Sequence, residues 1–129
     1  MSTIFTKIIN QEIPCYKIAE TEKFIAFLDI NPLVKGHTLV VPKVEVDYIF
    51  DLENQLLSEL FLFSKSVAKK IKKAIPCDRV GVSVVGLEVP HAHVHLIPIN
   101  QINDMNFSRP KLKLSNNEMI ALKNLILKG

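Results

Sequence analysis

The stretch His91-Ala92-His93-Val94-His95-Leu96-Ile97-Pro98 holds three of the four histidines in a 129-residue chain. Imidazole and apolar side chains alternate strictly along it, which is the period of a β-strand whose successive residues face opposite sides of a sheet. The spacing predicts a strand over 91–97 with His91, His93 and His95 in a row on one face, spread over about 13 Å. Burying such a row as ordinary core would require a partner for every ring nitrogen, which apolar neighbours do not provide. A histidine face of this kind suits nucleophilic or acid–base chemistry, a grip on phosphate, or a metal, since histidines at i and i+2 on a strand can share a zinc. The spacing by itself leaves these three open.

Length and composition frame the strand. One domain over 1–129 is expected, long enough to bury roughly two thirds of its unfolded surface. Hydrophobic residues at 48% and charged residues at 22% are ordinary for a globular protein. The net charge of +3 is mild. Lys69, Lys70, Lys72 and Lys73 cluster where a long helix ends and cations suit the negative pole of its dipole. No aromatic RNA-binding stretch, zinc-finger spacing or glycine-rich phosphate loop occurs, so no nucleic-acid partner is expected. Cys15 and Cys77 allow one bridge at most and imply no disulfide framework. The first residues lack the basic and apolar pattern of a leader, and no run has the length of a membrane span. A cytoplasmic protein without a membrane partner is the expectation.

The rest of the chain reads as α+β. Thr3 caps a short helix running to about Gln11, with Pro14 as its stop. Residues 16–20 and 23–30 read as strands around Glu20-Thr21-Glu22, and Thr38-Leu39-Val40-Val41 as another, after the turn at Lys35-Gly36. Asp51 is expected to cap the one long helix, whose Leu56, Leu60, Phe63, Val67 and Ile71 form an apolar stripe for the core or a subunit interface. A strand at 79–85 and a bend near Gly86 and Pro90 lead into the histidine strand. Short connections favour an antiparallel sheet of about five strands. Residues 100–114 are polar and irregular. Ser115-Asn116-Asn117-Glu118 is a capping box for a last helix with Met119, Leu122, Leu125 and Ile126 on one face.

Taken together, these segments resemble the histidine triad (HIT) family of nucleotide-binding hydrolases. The resemblance rests on the His-x-His-x-His motif at 91–97, on Ile4-Phe5-Thr6-Lys7-Ile8-Ile9 with Glu12-Ile13-Pro14, on Phe27-Leu28-Asp29-Ile30-Asn31-Pro32, and on Gly36-His37-Thr38-Leu39-Val40-Val41-Pro42-Lys43. It stops near residue 100 and leaves 100–129 as a C-terminal extension with an extra helix. It implies a HIT-like fold, a homodimer, and a phosphoramidase-like hydrolase that cleaves at the α-phosphate of purine nucleoside phosphoramidates or dinucleoside polyphosphates. His93 would be the nucleophile that becomes nucleotidylated, His95 would bind phosphate oxygens, and His91 would orient the row. A neutral imidazole is a good nucleophile near pH 7. Phe5, Ile8, Phe27, Leu28 and Ile30 would sandwich the base, Asp29 would accept from the ribose hydroxyls, and Ser83 would stand at a phosphate-binding position. His37 is read as structural.

The chain also departs from the family pattern. Thr3, Thr6 and Glu45 occupy positions where many relatives bind a structural zinc, so no metal and no cofactor is expected. Leu87, in the loop Gly86-Leu87-Glu88-Val89-Pro90, replaces a glutamine that touches the phosphates. Two other functions fit the residues less closely. A metal-dependent hydrolase would use the histidines as ligands but lacks an obvious carboxylate or cysteine partner nearby, and a non-catalytic nucleotide sensor would keep the pocket without turnover.

Overall fold

The run Phe24-Ile25-Ala26-Phe27-Leu28 forms a strand in which every residue is buried, as happens when both faces of a sheet are covered. The structure, a computed structural model, describes residues 3–128. Its elements are α1 (Ile4–Ile9), β1 (Lys17–Glu20), β2 (Phe24–Leu28), β3 (Thr38–Pro42), α2 (Asn54–Ala74), β4 (Arg79–Ser83), β5 (Val94–Ile99) and α3 (Asn116–Lys128). The strands form one sheet in the order β1-β2-β3-β5-β4, with every neighbouring pair antiparallel. The expected α+β sheet of five strands with one long helix is what forms.

Alternation along the strands separates two cores. Ala26, Leu28, Val40, Val94 and Leu96 point toward α2, whose Leu60, Val67 and Ile71 are fully buried against them. Ile25, Phe27, Leu39 and Val41 point the other way and are covered by Phe5 and Ile8 of α1. The α2 stripe thus belongs to the core rather than to a subunit interface. Ser64 interrupts the stripe without penalty, because its hydroxyl donates to the Leu60 carbonyl at 2.8 Å. Gly36 makes the turn into β3 with φ of 95°, and a Cβ there would stand 3.1 Å from Pro98 Cγ and 3.2 Å from Ile75 Cγ1. This turn delivers His37 to the start of β3.

Several boundaries differ from the expected ones, each for a local reason. The histidine strand pairs only from Val94: β4 ends at Ser83 opposite His95, and the ladder from β3 ends with Val40 opposite Val94. The Ala92 amide turns instead to the Val46 carbonyl at 2.7 Å. Asp51 does not cap α2. It closes a short 3-10 turn, Ile49–Asp51, because Ile49 and Leu52 are buried and hold that segment to the core before the helix starts at Asn54. Strand β2 stops at Leu28, since the Asp29 carboxylate takes the Asn31 amide at 2.9 Å and turns the chain. α1 ends at Ile9, and Gln11 adopts a left-handed φ of 63°. The Ser115–Glu118 capping box forms reciprocally. On α3, Met119 and Ile126 are buried while Leu125 is exposed, so the apolar face is narrower than the sequence suggests. Among the described residues no helix is long and apolar enough to cross a membrane.

Candidate active site

The first half of the histidine row owes its position to α1 and β3. Thr3 caps α1 by accepting the Thr6 amide at 3.1 Å, and the same hydroxyl lies 3.0 Å from His91 Nδ1. His91 Nε2 sits 2.8 Å from the Pro42 carbonyl, which only accepts, so Nε2 carries the proton and Nδ1 receives the Thr3 hydroxyl hydrogen. His91 is fully buried behind the row, where it locks the segment in place.

The same accounting settles the other rings. His93 Nδ1 is 2.7 Å from the His91 carbonyl and must donate to it, which leaves a lone pair on Nε2 in the neutral ring. Leu33 donates its amide to His37 Nδ1 at 3.0 Å, so the proton of neutral His37 sits on Nε2. From there it reaches His95 Nδ1 at 2.9 Å, which in turn puts the proton of neutral His95 on Nε2. No buried side-chain nitrogen or oxygen among the described residues lacks a partner, so His93 Nε2 and His95 Nε2, which have none within the protein, open onto the cavity. The site therefore presents one lone pair and one N–H donor side by side, on rings whose centroids are 4.9 Å apart.

Burial keeps the two cavity-facing rings and His37 neutral. Burial holds His93 below the ordinary imidazole range, pulls His95 down to about 4 with help from the nearby His93 ring and the Lys111 cation, and pulls His37 down to about 3. Burial pushes the Asp29 carboxyl up to about 6. Its Oδ2 lies 3.6 Å from His37 Nε2, but a neutral His37 makes this no ion pair.

These groups line a cavity of about 370 Å³, the size of a small-molecule site. Phe5, Ile8, Phe27, Ile30, Asp29, His93 and His95 all border it. Phe5 meets His93 edge-on at 4.9 Å and Phe27 at 5.7 Å. Leu28 touches the cavity, yet its side chain belongs to the core under α2, since it faces opposite to Phe27. Ser83 stands across from His95 in the β4–β5 register but does not line the cavity. His91 stays behind it.

Of three further residues at the site, Phe107 and Lys111 went unassigned in the sequence and His37 was read as structural. His37 is not merely structural, because it fixes the proton on His95. The parity of β3 carried the signal, since His37 shares a face with Leu39 and Val41 on the cavity side. Phe107 packs edge-on against His95 at 4.9 Å, and Lys111 lines the same wall. Both come from the irregular segment after β5, which carries no periodicity to betray them.

Neither candidate metal position suits an ion. Donor atoms of Asp29, His37 and His95 lie within 4.8 Å of one another. However, a metal on His37 Nε2 would displace its proton while Nδ1 still accepts the Leu33 amide, leaving an imidazolate. At the second place Thr3, Thr6, Glu45 and His91 do come together, with the Thr6 hydroxyl donating to Glu45. Two hydroxyls replace the thiolates that zinc prefers, and His91 Nδ1 is already engaged. Hydrogen bonds hold α1 to the rest of the domain there.

A five-stranded antiparallel sheet that presents a backbone-locked histidine row to a small cavity defines an α+β domain with a histidine-lined pocket. The chain matches the HIT domain over residues 10–102 and belongs to that family. It is 35% identical over 128 residues to an adenosine 5'-monophosphoramidase of Schizosaccharomyces pombe, an alignment covering 95% of this chain and 93% of that one. A second adenosine 5'-monophosphoramidase, from Saccharomyces cerevisiae, is 38% identical over 100 residues, and the match spans 74% of this chain and 61% of that protein. Among solved structures, a hypothetical histidine triad nucleotide-binding protein of Sulfolobus tokodaii superposes with a TM-score of 0.83 at 32% identity, covering 97% of this chain and 89% of that one.

Proposed function

We propose that this protein hydrolyses purine nucleoside phosphoramidates, and less readily dinucleoside polyphosphates, through a nucleotidyl-histidine intermediate on His93. The observation that carries the reading is the fixed tautomer pair, with the His93 Nε2 lone pair beside the His95 Nε2 donor in one cavity. The lone pair attacks the α-phosphorus, a P–N bond forms to His93, and the bond to the leaving nitrogen breaks as that nitrogen takes up a proton. Glu88 borders the cavity and would relay that proton from water. His95 Nε2–H stabilises the charge gathering on a phosphoryl oxygen. Water then cleaves the P–N bond to His93 and releases the nucleoside monophosphate. The curated names of the two yeast relatives support the substrate class.

Base and ribose follow from the same wall. Phe5, Ile8, Phe27 and Ile30 offer apolar surface for a purine, and the Asp29 carboxylate accepts from the ribose hydroxyls. A homodimer is part of the reading, because β4 lies at the sheet edge with Val82 and Val85 half exposed, and a second copy would cover them. Light scattering in solution should give the mass of two chains. Cytoplasmic residence accords with the free thiols of Cys15 and Cys77.

The decisive experiment is mass spectrometry of enzyme quenched during turnover of adenosine phosphoramidate. It should show an added adenylyl group on His93, and His93→Ala should lose turnover by orders of magnitude while still binding AMP. Turnover by the alanine variant within about tenfold of wild type would refute the covalent route.

A further inference from the structure

The cavity that holds the histidine row has little positive charge of its own. His37, His93 and His95 are neutral near pH 7, while Asp29 and Glu88 bring carboxyl groups to the same wall. A phosphate anion entering there would meet neutral donors and repelling carboxylates. Among the described residues lining the cavity, Lys111 is the one lysine or arginine.

Lys111 arrives from beyond residue 102, where the match to the family ends. After β5 the chain makes a 3-10 turn at Ile102–Met105 and then runs back across the cavity mouth, where the Leu112 amide donates to the Pro32 carbonyl at 2.8 Å. That bond pins the segment beside the Asp29 turn. The Lys111 ammonium donates to the Phe107 carbonyl at 2.7 Å and lies 5.9 Å from the centroid of the Phe107 ring, which itself abuts His95. One of its three hydrogens is used in this way. No carboxylate lies within 4.0 Å of it among the described residues, so two donors remain on a half-buried and unneutralised cation.

We propose that Lys111 pairs with the phosphate of the bound nucleotide on the His95 side of the cavity, and that it is the residue by which the site selects nucleotides over nucleosides. The inference rests on the nucleotide reading above and goes beyond it in assigning phosphate recognition to the C-terminal segment. A cation there offsets the two carboxyl groups, and its reach over Phe107 leaves the His93 lone pair clear for attack.

Calorimetric titration of the full chain with AMP and with adenosine, at low and moderate salt, tests this without any need for turnover. Wild type should bind AMP more tightly than adenosine, with the difference shrinking as salt rises. Lys111→Met should weaken AMP about tenfold or more and leave adenosine within about twofold, whereas Lys111→Arg should keep most of the AMP affinity. If Lys111→Met binds AMP within about twofold of wild type, or loses both ligands equally, phosphate recognition by Lys111 is overturned while the nucleotide reading stands. If wild type binds neither ligand, the nucleotide reading fails and takes this inference with it. Thermal unfolding of each variant checks the fold, and Lys111→Gln serves if the methionine variant is unstable.

Discussion

Replacing His37 by leucine should damage catalysis through a ring that never touches the substrate. His37 takes the Leu33 amide on Nδ1 and passes its Nε2 proton toward His95 Nδ1, at 3.0 and 2.9 Å. Leucine fills similar space and removes both bonds. The Leu33 amide, on a residue only 1% exposed, is left without its acceptor, a loss of about 1–3 kcal/mol of stability. His95 then has no neighbour dictating its tautomer. A share of molecules will place the proton on Nδ1 and turn a lone pair toward the phosphoryl oxygen, where a donor is needed. Loss of one preorganised donor typically lowers kcat by about 10²–10³-fold. The lower end applies here, because His95 still samples the productive tautomer part of the time.

His37→Gln separates this effect from simple destabilisation. Its amide N–H can still donate to His95 Nδ1, but it cannot also accept the Leu33 amide in the way the ring does. We therefore expect the glutamine variant to be about as unstable as the leucine variant and yet to recover much of kcat, with AMP affinity little changed in both. Steady-state kinetics and chemical denaturation give the two quantities on the same preparations, and nitrogen NMR of the imidazoles should show His95 protonated at Nε2 in wild type and in mixed tautomers in His37→Leu. If both variants lose kcat equally, or if kcat in His37→Leu stays within about threefold of wild type, the relay has no catalytic role.

Turnover should persist to acid pH and then fail in two separable ways. The neutral forms of His93 and His95 are the active ones and both are held below the usual range, His95 to about 4, so kcat should stay level as pH falls through the ordinary imidazole region and drop only below it. The Asp29 carboxyl titrates at about 6, so KM for ribonucleotide substrates should rise as pH falls through that value, while a 2',3'-dideoxy substrate shows no such limb; a limb of equal size for both would remove Asp29 from the ribose. Folding stability should fall as pH drops from the ordinary histidine value of 6.5 toward 3, since the unfolded chain binds protons there that folded His37 refuses, and denaturant midpoints across that window read it directly. Asp29→Asn keeps an oxygen for the Asn31 amide and so should fold, but should weaken ribonucleotides toward their dideoxy analogues by about 1–3 kcal/mol. Leu87, at the cavity and almost fully exposed, offers no donor for extra phosphates, so adenosine phosphoramidate should be cleaved with a higher kcat/KM than diadenosine polyphosphates; the opposite order in parallel assays would show that the loop is read wrongly.

What the chain declares openly and what it hides follow from the range of the forces involved. Alternation at 91–97 is a local property, because each residue's face is set by its neighbours, and so the row, the sheet and the strand Phe24–Leu28 could be read directly. The row kept its alternation even where the ladder does not reach it, with Ala92 turned toward α2 and His93 toward the cavity. Proton positions are a different matter. They depend on the Pro42 carbonyl, the Leu33 amide and the His91 carbonyl, backbone groups whose approach is decided by tertiary packing and which carry no residue signature. Asp51 misled for the same reason, since its capping chemistry was sound but burial of Ile49 and Leu52 started the helix later. Phe107 and Lys111 lay deepest, in a segment whose only regular feature is a 3-10 turn at Ile102–Met105. A hydrogen bond from the Leu112 amide to the Pro32 carbonyl, with Phe107 packed on His95, carries that segment to the cavity. On the proposed mechanism the histidines react as neutral rings, so the charge that holds the phosphate comes from elsewhere, and a free-running segment can deliver it without disturbing the sheet that sets the tautomers.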